Sequence, residues 1–243
     1  MLRFDKRRLT ENITYFRYVD DILLICSKWQ ADDLLKKIGR TLSSRGLIIH
    51  KKGVVGKTEI SPVDEVIDFL GYRISPTEIS VRSSSFKRMF RNILKVITDY
   101  RYRRDVDNLL FRINLKITGC IVDFRRRGWM MFFSHTENLK QLAHLDAFVM
   151  RSLRRVNFPE SQKSEVKKFV KSWHQIRFHI NETRYIPNFD LYDHEAKARA
   201  VSALSRRPLL EILAMDFEEV ERQFSRYISR EVHDLEQDVG NPS

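Results

Sequence analysis

The sequence predicts an α+β fold, with short antiparallel strands and one helix near the N-terminus, then helices to the C-terminus. Three observations carry this expectation. Two runs rich in β-branched and aromatic residues, 13–18 and 22–27, flank the acidic pair Asp20-Asp21. From Arg82 onward, apolar residues recur at helical spacing. Eight Gly and six Pro in 243 residues leave few turns for a many-stranded sandwich or barrel. A hydrophobic fraction of 42% with 16 Phe, 8 Tyr and 3 Trp suffices for a sizeable core, which excludes a disordered tail protein.

Taken in order, residues 13–18 and 22–27 read as a hairpin with Val19-Asp20-Asp21 at its tip. Ala31, Leu34, Leu35, Ile38 and Leu42 predict an amphipathic helix over 29–45, stopped by Gly46. Residues 47–50 and 66–74 read as further short strands, Ser75-Pro76-Thr77 as a turn, and 78–81 as the last strand. Ser83, Ser84 and Ser85 are N-cap candidates for a basic helix to about Arg101, and Asp105 for a second helix to about Arg127. Further helices are expected over 138–156, 161–177, 195–205 and 217–235, interrupted by Pro159, Pro187 and Pro208. Residues 238–243 read as a frayed tail. The chain thus divides into 1–81, 82–157 and 158–243.

Charge gives the first functional direction. There are 44 Lys+Arg against 32 Asp+Glu, a formal net charge of +12. The excess sits in residues 81–130, with 13 basic against 4 acidic side chains, whereas residues 190–243 carry 7 against 12. A basic middle of this kind is a polyanion surface, and nucleic acid is the expected partner. The acidic C-terminal helix is expected to pack on the basic body or on a partner. No apolar run exceeds five residues, so no membrane span is expected, and the charged N-terminus lacks the apolar stretch of a secretory signal. A cytoplasmic location is favoured, with Cys26 and Cys120 as free thiols. His174 and His179, five apart with no Cys pair, do not suggest zinc, and Val55-Gly56-Lys57-Thr58 lacks the leading glycine of a phosphate loop.

The residues with most chemical content are Asp20 and Asp21. Two adjacent carboxylates between apolar strands are costly to desolvate unless a cation compensates, and hard Mg²⁺ takes such oxygen ligands while keeping sites for water and phosphate. On spacing alone the pair reads first as a solvated turn, since Asp is common in turns, and only second as a cation site. The basic run has similar alternatives. Arg82, Lys87, Arg88, Arg91 and Lys95 recur near helical spacing beside Phe86, Phe90 and Ile93, and Arg82 to Lys95 contains no acid, unlike an ordinary solvated face. Arg125, Arg126 and Arg127 form a second cluster.

Tyr18-Val19-Asp20-Asp21 with its apolar flanks resembles the Tyr-X-Asp-Asp box of reverse transcriptases. Downstream, Gly46-Leu47-Ile48-Ile49-His50-Lys51-Lys52 resembles the palm segment carrying a phosphate-binding lysine. Phe69-Leu70-Gly71-Tyr72 is similar to the primer-grip hairpin. The block from Ile113 through Trp129 to Phe148 resembles the thumb of bacterial members of intron, retron and phage-defence types. The resemblance implies a partial polymerase palm over 1–81, a basic helical thumb over 82–157 and a C-terminal helical extension. It implies Mg²⁺-dependent, RNA-directed DNA synthesis from dNTPs, with an RNA template and a DNA primer or product as partners, in antiphage defence.

Residue by residue, the resemblance makes Asp20 a metal ligand in a two-metal site and Asp21 its acidic neighbour. Tyr18 would lie beneath the primer end, and Lys51, Lys52 or Lys57 near nucleotide phosphates, with Lys57-Thr58 matching the Lys-Thr pair of bacterial members. Gly71 fits a close approach to the primer, or merely a bulge. Arg82, Lys87, Arg88, Arg91, Lys95, Arg125, Arg126 and Arg127 would hold nucleic acid. The family places another catalytic aspartate and its fingers well upstream of this box, where only 17 residues precede Tyr18. The expectation is therefore a C-terminal part, inactive until a missing N-terminal half or partner subunit completes it. The alternatives are a nucleic-acid-binding module without chemistry and an interaction subunit docking through its acidic helices.

Overall fold

The computed structural model describes residues 13–54 and 57–240, which divide into two compact units at the boundary between Ile79 and Ser80. Val55, Gly56 and the last three residues of the expected tail lie outside the described residues. Small antiparallel sheets and many helices make the fold α+β.

In the first unit, β1 (Thr14–Tyr18) and β2 (Asp21–Ile25) form an antiparallel hairpin in the register Tyr18↔Asp21, Phe16↔Leu23, Thr14↔Ile25. The tip is a two-residue turn, Val19-Asp20, so Asp21 opens the second strand instead of sharing the loop as expected. Alternation then assigns the faces. Tyr15, Ile22 and Leu24 pack on Ile38 and Leu42 of helix α1 (Ala31–Ser43). The opposite face carries Phe16, Tyr18, Asp21, Leu23 and Ile25. After α1 the chain reverses at Gly46, with Leu47 N–H bonded to Leu42 O and Gly46 N–H to Ser43 O.

The strand expected over 47–50 does not form. Ile49 alone packs inward, against Gly39 and the α1 core, while Ile48 is 91% exposed; among the described residues no strand lies beside the segment to complete a ladder. The segment 66–74 becomes the tight hairpin of β3 (Ile67–Phe69) and β4 (Tyr72–Ile74), and β5 (Ile79–Val81) completes the order β3-β4-β5. Leu70 and Gly71 form its turn, both at positive φ (50° and 77°). Gly71 is therefore the residue a two-residue turn of this hand demands, and not a bulge.

The second unit is built around α3 (Val106–Thr118), which packs against α2 (Ser83–Arg103), α4 (Trp129–Phe132), α6 (Phe169–Phe178) and α7 (His194–Ser205). Being buried on several sides, it has apolar residues nearly all round, including Leu109, Leu110, Ile113, Leu115 and Ile117. Asp105 caps it through Asn108 N–H, as expected. The serine caps of α2 are not used: the helix begins at Ser83 with Arg82 at the cap position and no side-chain cap bond. A core cluster joins Leu115 and Cys120 to Phe189, Val201, Ile212, Val220, Phe224, Ile228 and Leu235, so residues of the segments 82–157 and 158–243 share one unit.

The α3 helix does not run to Arg127, and strand structure does not end at Val81. The chain leaves α3 at Gly119 and forms a second hairpin, β6 (Cys120–Val122) with β7 (Arg125–Arg127). Gly119 (φ 67°) passes so close to β7 that a Cβ there would lie 2.4 Å from Arg127 O, and one on Gly128 would lie 2.7 Å from Gly119 Cα. Gly119→Ala is expected to lower stability by about 2 kcal/mol or more, read as a fall in the urea midpoint; an unchanged midpoint would refute the close packing.

Helices α5 (Leu139–Arg155), α7, α8 (Leu209–Leu213) and α9 (Phe217–Val239) follow, with Asn138 and Asp193 capping α5 and α7. The helix expected over 161–177 starts at Phe169, because the first N–H groups of α6 find their acceptor in Asp146 of α5, at 2.6 and 3.3 Å. Burial pushes the Asp146 carboxyl up, against the pull of these two bonds. Residues 160–165 form a 3₁₀ turn instead. The expected tail is helical through Val239, and Asp238 is buried.

Candidate catalytic hairpin and nucleic-acid interface

The β1–β2 tip places Tyr18, Asp20 and Asp21 within four residues of chain. Val19, between them, has φ 50°, a conformation that a β-branched side chain rarely adopts and that the turn must impose. Arg17 Nε donates to Val19 O at 2.9 Å and helps hold it. Asp20 is exposed, Asp21 half-buried, and neither carboxylate has a hydrogen bond or ion pair among the described residues. Tyr18 lies directly across from Asp21, 49% exposed, on the same open face as Phe16. The hairpin thus displays two unneutralised carboxylates beside an uncovered aromatic face.

Those carboxylates have the hard, anionic oxygens that suit Mg²⁺. They are two ligands only: among the described residues no group of three or more Asp, Glu, His or Cys side chains is placed to hold a metal. The candidate lysines differ in state. Lys52 is ion-paired with Asp32 of α1 at 2.9 Å, which holds the Asp32 carboxyl below its usual range. Lys51 and Lys57 are exposed and carry no such pair among the described residues.

In the second unit the structure sorts the basic residues into two groups. One group is engaged internally, by acids or, for Arg88, by a backbone carbonyl. Arg88 donates to Val239 O at the end of α9, Arg112 pairs with Glu231 at 3.2 Å, Lys116 with Asp238 at 2.7 Å, and Arg127 with Glu236. The acidic α9 therefore packs on the basic body of its own chain. The second group, Lys87, Arg91 and Lys95, is exposed along one line of α2 with no acid paired to it among the described residues. Like charges four apart cost a helix a few tenths of a kcal/mol each, so this line stands uncompensated within the fold. Asp99, the next acid, is taken by Arg103 and Arg206. The other face of α2 packs through Phe90 on Phe148, ring centroids 4.5 Å apart. Arg82 is half-buried at the helix start.

Sequence reasoning stopped this line too early. Arg101 and Tyr102, the latter 78% exposed, continue on the same α2 and extend the basic, aromatic surface. The helical period that picked out Lys87, Arg91 and Lys95 reaches Tyr102, seven residues after Lys95, with Arg101 adjacent to it. Arg125 and Arg126 are also exposed and unpaired among the described residues, on β7 and not on a helix. The free thiols are Cys26 and the buried Cys120, whose pKa burial pushes up to about 12. No helix among the described residues is long and apolar enough to cross a membrane. Compared with known proteins, the chain matches no family model, no curated protein and no solved structure.

Proposed function

We infer that this chain is the palm-and-thumb part of a bacterial reverse transcriptase, carrying out Mg²⁺-dependent nucleotidyl transfer on an RNA template once further polypeptide supplies the fingers and the upstream carboxylate. The observation that carries the reading is the Tyr18-Val19-Asp20-Asp21 turn, in which a strained valine holds two unpartnered carboxylates at the end of a hairpin. Asp20 and Asp21 would hold the metal, which when bound supplies Lewis-acid stabilisation of the phosphoryl oxygens. Tyr18 offers a flat, half-exposed ring on the same face for the primer terminus. Lys51 and Lys57 are free to meet nucleotide phosphates, whereas Lys52 must first leave Asp32. Lys87, Arg91 and Lys95 track the backbone of the template–primer, with Arg125 and Arg126 as a second contact. A role in antiphage defence goes with the bacterial thumb resemblance alone.

A second reading, nucleic-acid binding without chemistry, is favoured by the exposed line Lys87, Arg91 and Lys95, which needs no metal to meet phosphates. Both readings require salt-sensitive binding. An anisotropy titration of the chain with an RNA–DNA primer–template, repeated over a range of salt, tests this. Replacing Lys87, Arg91 and Lys95 together by Gln should shrink the slope of log affinity against log salt by about 2–3. An unchanged slope would take the α2 line out of the interface. Incorporation of labelled dNTP by the completed enzyme separates the two readings.

A further inference from the structure

We propose that the β6–β7 hairpin is a rigid base-stacking finger, in which Phe124 lays its ring on an unpaired base of single-stranded nucleic acid while Arg125 and Arg126 hold the adjoining phosphates. This deepens the nucleic-acid reading above and rests on it. Phe124 is 94% exposed at the tip of a two-residue turn, where the side chain adds nothing to the core. The turn is of the hand that favours Asn-Gly, with both central residues at positive φ, Asp123 at 50° and Phe124 at 57°. Asp tolerates that conformation; an aromatic residue does so only when its surroundings impose it.

The surroundings here do so at several points. Both carboxylate oxygens of Asp190 accept from the tip, Asp123 N–H at 2.8 Å and Phe124 N–H at 2.9 Å. Asp190 is itself placed by Asn188, whose side-chain oxygen accepts from Asp190 N–H at 3.2 Å. Along β6, Ile121 N–H donates to Pro187 O at 2.9 Å, and at the hairpin base Gly119 and Gly128 allow the close backbone contact already described. The backbone that carries the ring is therefore held in advance, so only the side-chain rotamer has to be ordered on binding, which favours affinity.

Charge selects the occupant. Arg125 and Arg126 follow Phe124 directly, exposed and without an ion pair among the described residues, while the next residue, Arg127, is already neutralised by Glu236. Both oxygens of Asp190 are occupied by the tip N–H groups, and Asp123 is outnumbered by the two arginines. An aromatic ring beside unpaired guanidinium groups is the combination that single strands bind, because every base has a stacking face and every linkage a phosphate.

The test uses the full chain and three probes: single-stranded RNA of about 12 nucleotides, DNA of the same sequence, and the blunt RNA duplex. Phe124→Ala should weaken binding of both single strands by at least about fivefold and leave the duplex unchanged. Phe124→Trp should keep the affinity, with its exposed indole emission quenched by the single strands. Single-strand binding that is undiminished in the alanine variant, with unquenched emission in the tryptophan variant, would overturn the finger and leave the nucleic-acid reading standing. Absence of salt-sensitive binding by the unmodified chain would remove that reading and the finger with it. A change in oligomeric mass on Phe124→Ala with RNA binding intact would assign Phe124 to a protein contact and overturn the proposal.

Discussion

Asp20→Asn is expected to reduce nucleotide incorporation by the completed enzyme about a thousand-fold or more, while affinity for primer–template stays within about twofold. The substitution keeps the shape of the side chain and removes its charge. Asp20 occupies the second position of an exposed two-residue turn, with no hydrogen bond among the described residues to lose, so the fold has no stake in its carboxylate. A metal would have such a stake. Clamping two cations depends on anionic oxygens, and removing one ligand from an already sparse set forfeits several kcal/mol of transition-state stabilisation. Asp21→Asn is expected to act in the same direction with a smaller loss, since Asp21 is half-buried as the first residue of β2. Incorporation of labelled dNTP, alongside anisotropy binding on the same preparations, provides both readouts. Full incorporation by Asp20→Asn would end the polymerase reading; equal loss of binding and incorporation would mean that the turn, and not the metal, had been damaged.

What the sequence announced, and what it hid, follows from the range of the interactions involved. The β1–β2 hairpin was legible because alternation is local, and only the length of its turn was misjudged: Asp21 pairs with Tyr18 and leaves a two-residue tip that no propensity of Val19 suggests. The β6–β7 hairpin was hidden for the opposite reason. Three residues of Cys120–Val122 are too few to show a period, and Arg125–Arg127 has no apolar member at all. Gly119 and Gly128 were its signal, one at each end. The strand expected over 47–50 had the right alternation, with Ile49 inward and Ile48 outward, but a strand also needs a neighbour, which a single segment cannot reveal. For the interface, the sequence exposed the excess of positive charge but not its partition. Arg88 and Lys87 are adjacent in the chain, yet one is tied to the carbonyl of Val239, 151 residues away, and the other is free. Such a long-range contact leaves no periodic trace.

Lys116→Met alone is expected to destabilise the second unit by about 3–5 kcal/mol, and Lys116→Met combined with Asp238→Leu to restore most of that loss. Lys116 Nζ and Asp238 Oδ2 are 2.7 Å apart with side chains only 7% and 4% exposed, and Asn92 donates to the other Asp238 oxygen at 2.7 Å. Burial pushes the Asp238 carboxyl up, with the Lys116 charge pulling the other way. Removing the lysine leaves the burial and takes away the pull, so the isolated carboxylate must either be protonated or break out of the packing. Removing both charges removes the desolvation cost as well, and two apolar side chains can fill the space. Urea denaturation of the single and double variants gives the coupling through a double-mutant cycle; a double variant no more stable than Lys116→Met would show that the pair is not the cause. The result bears on function through α9. Lys116–Asp238, Arg112–Glu231 and Arg127–Glu236 bind this helix across α3 and β7. By neutralising those three cations α9 removes them from the unpaired charge of the 81–130 region, in which the α2 line and Arg125 and Arg126 stay exposed. A chain with Lys116→Met alone should keep its composition and its net +12 nearly intact, yet loosen α9 and with it the arrangement that turns an excess of charge into a defined surface, whereas the double variant should keep that arrangement.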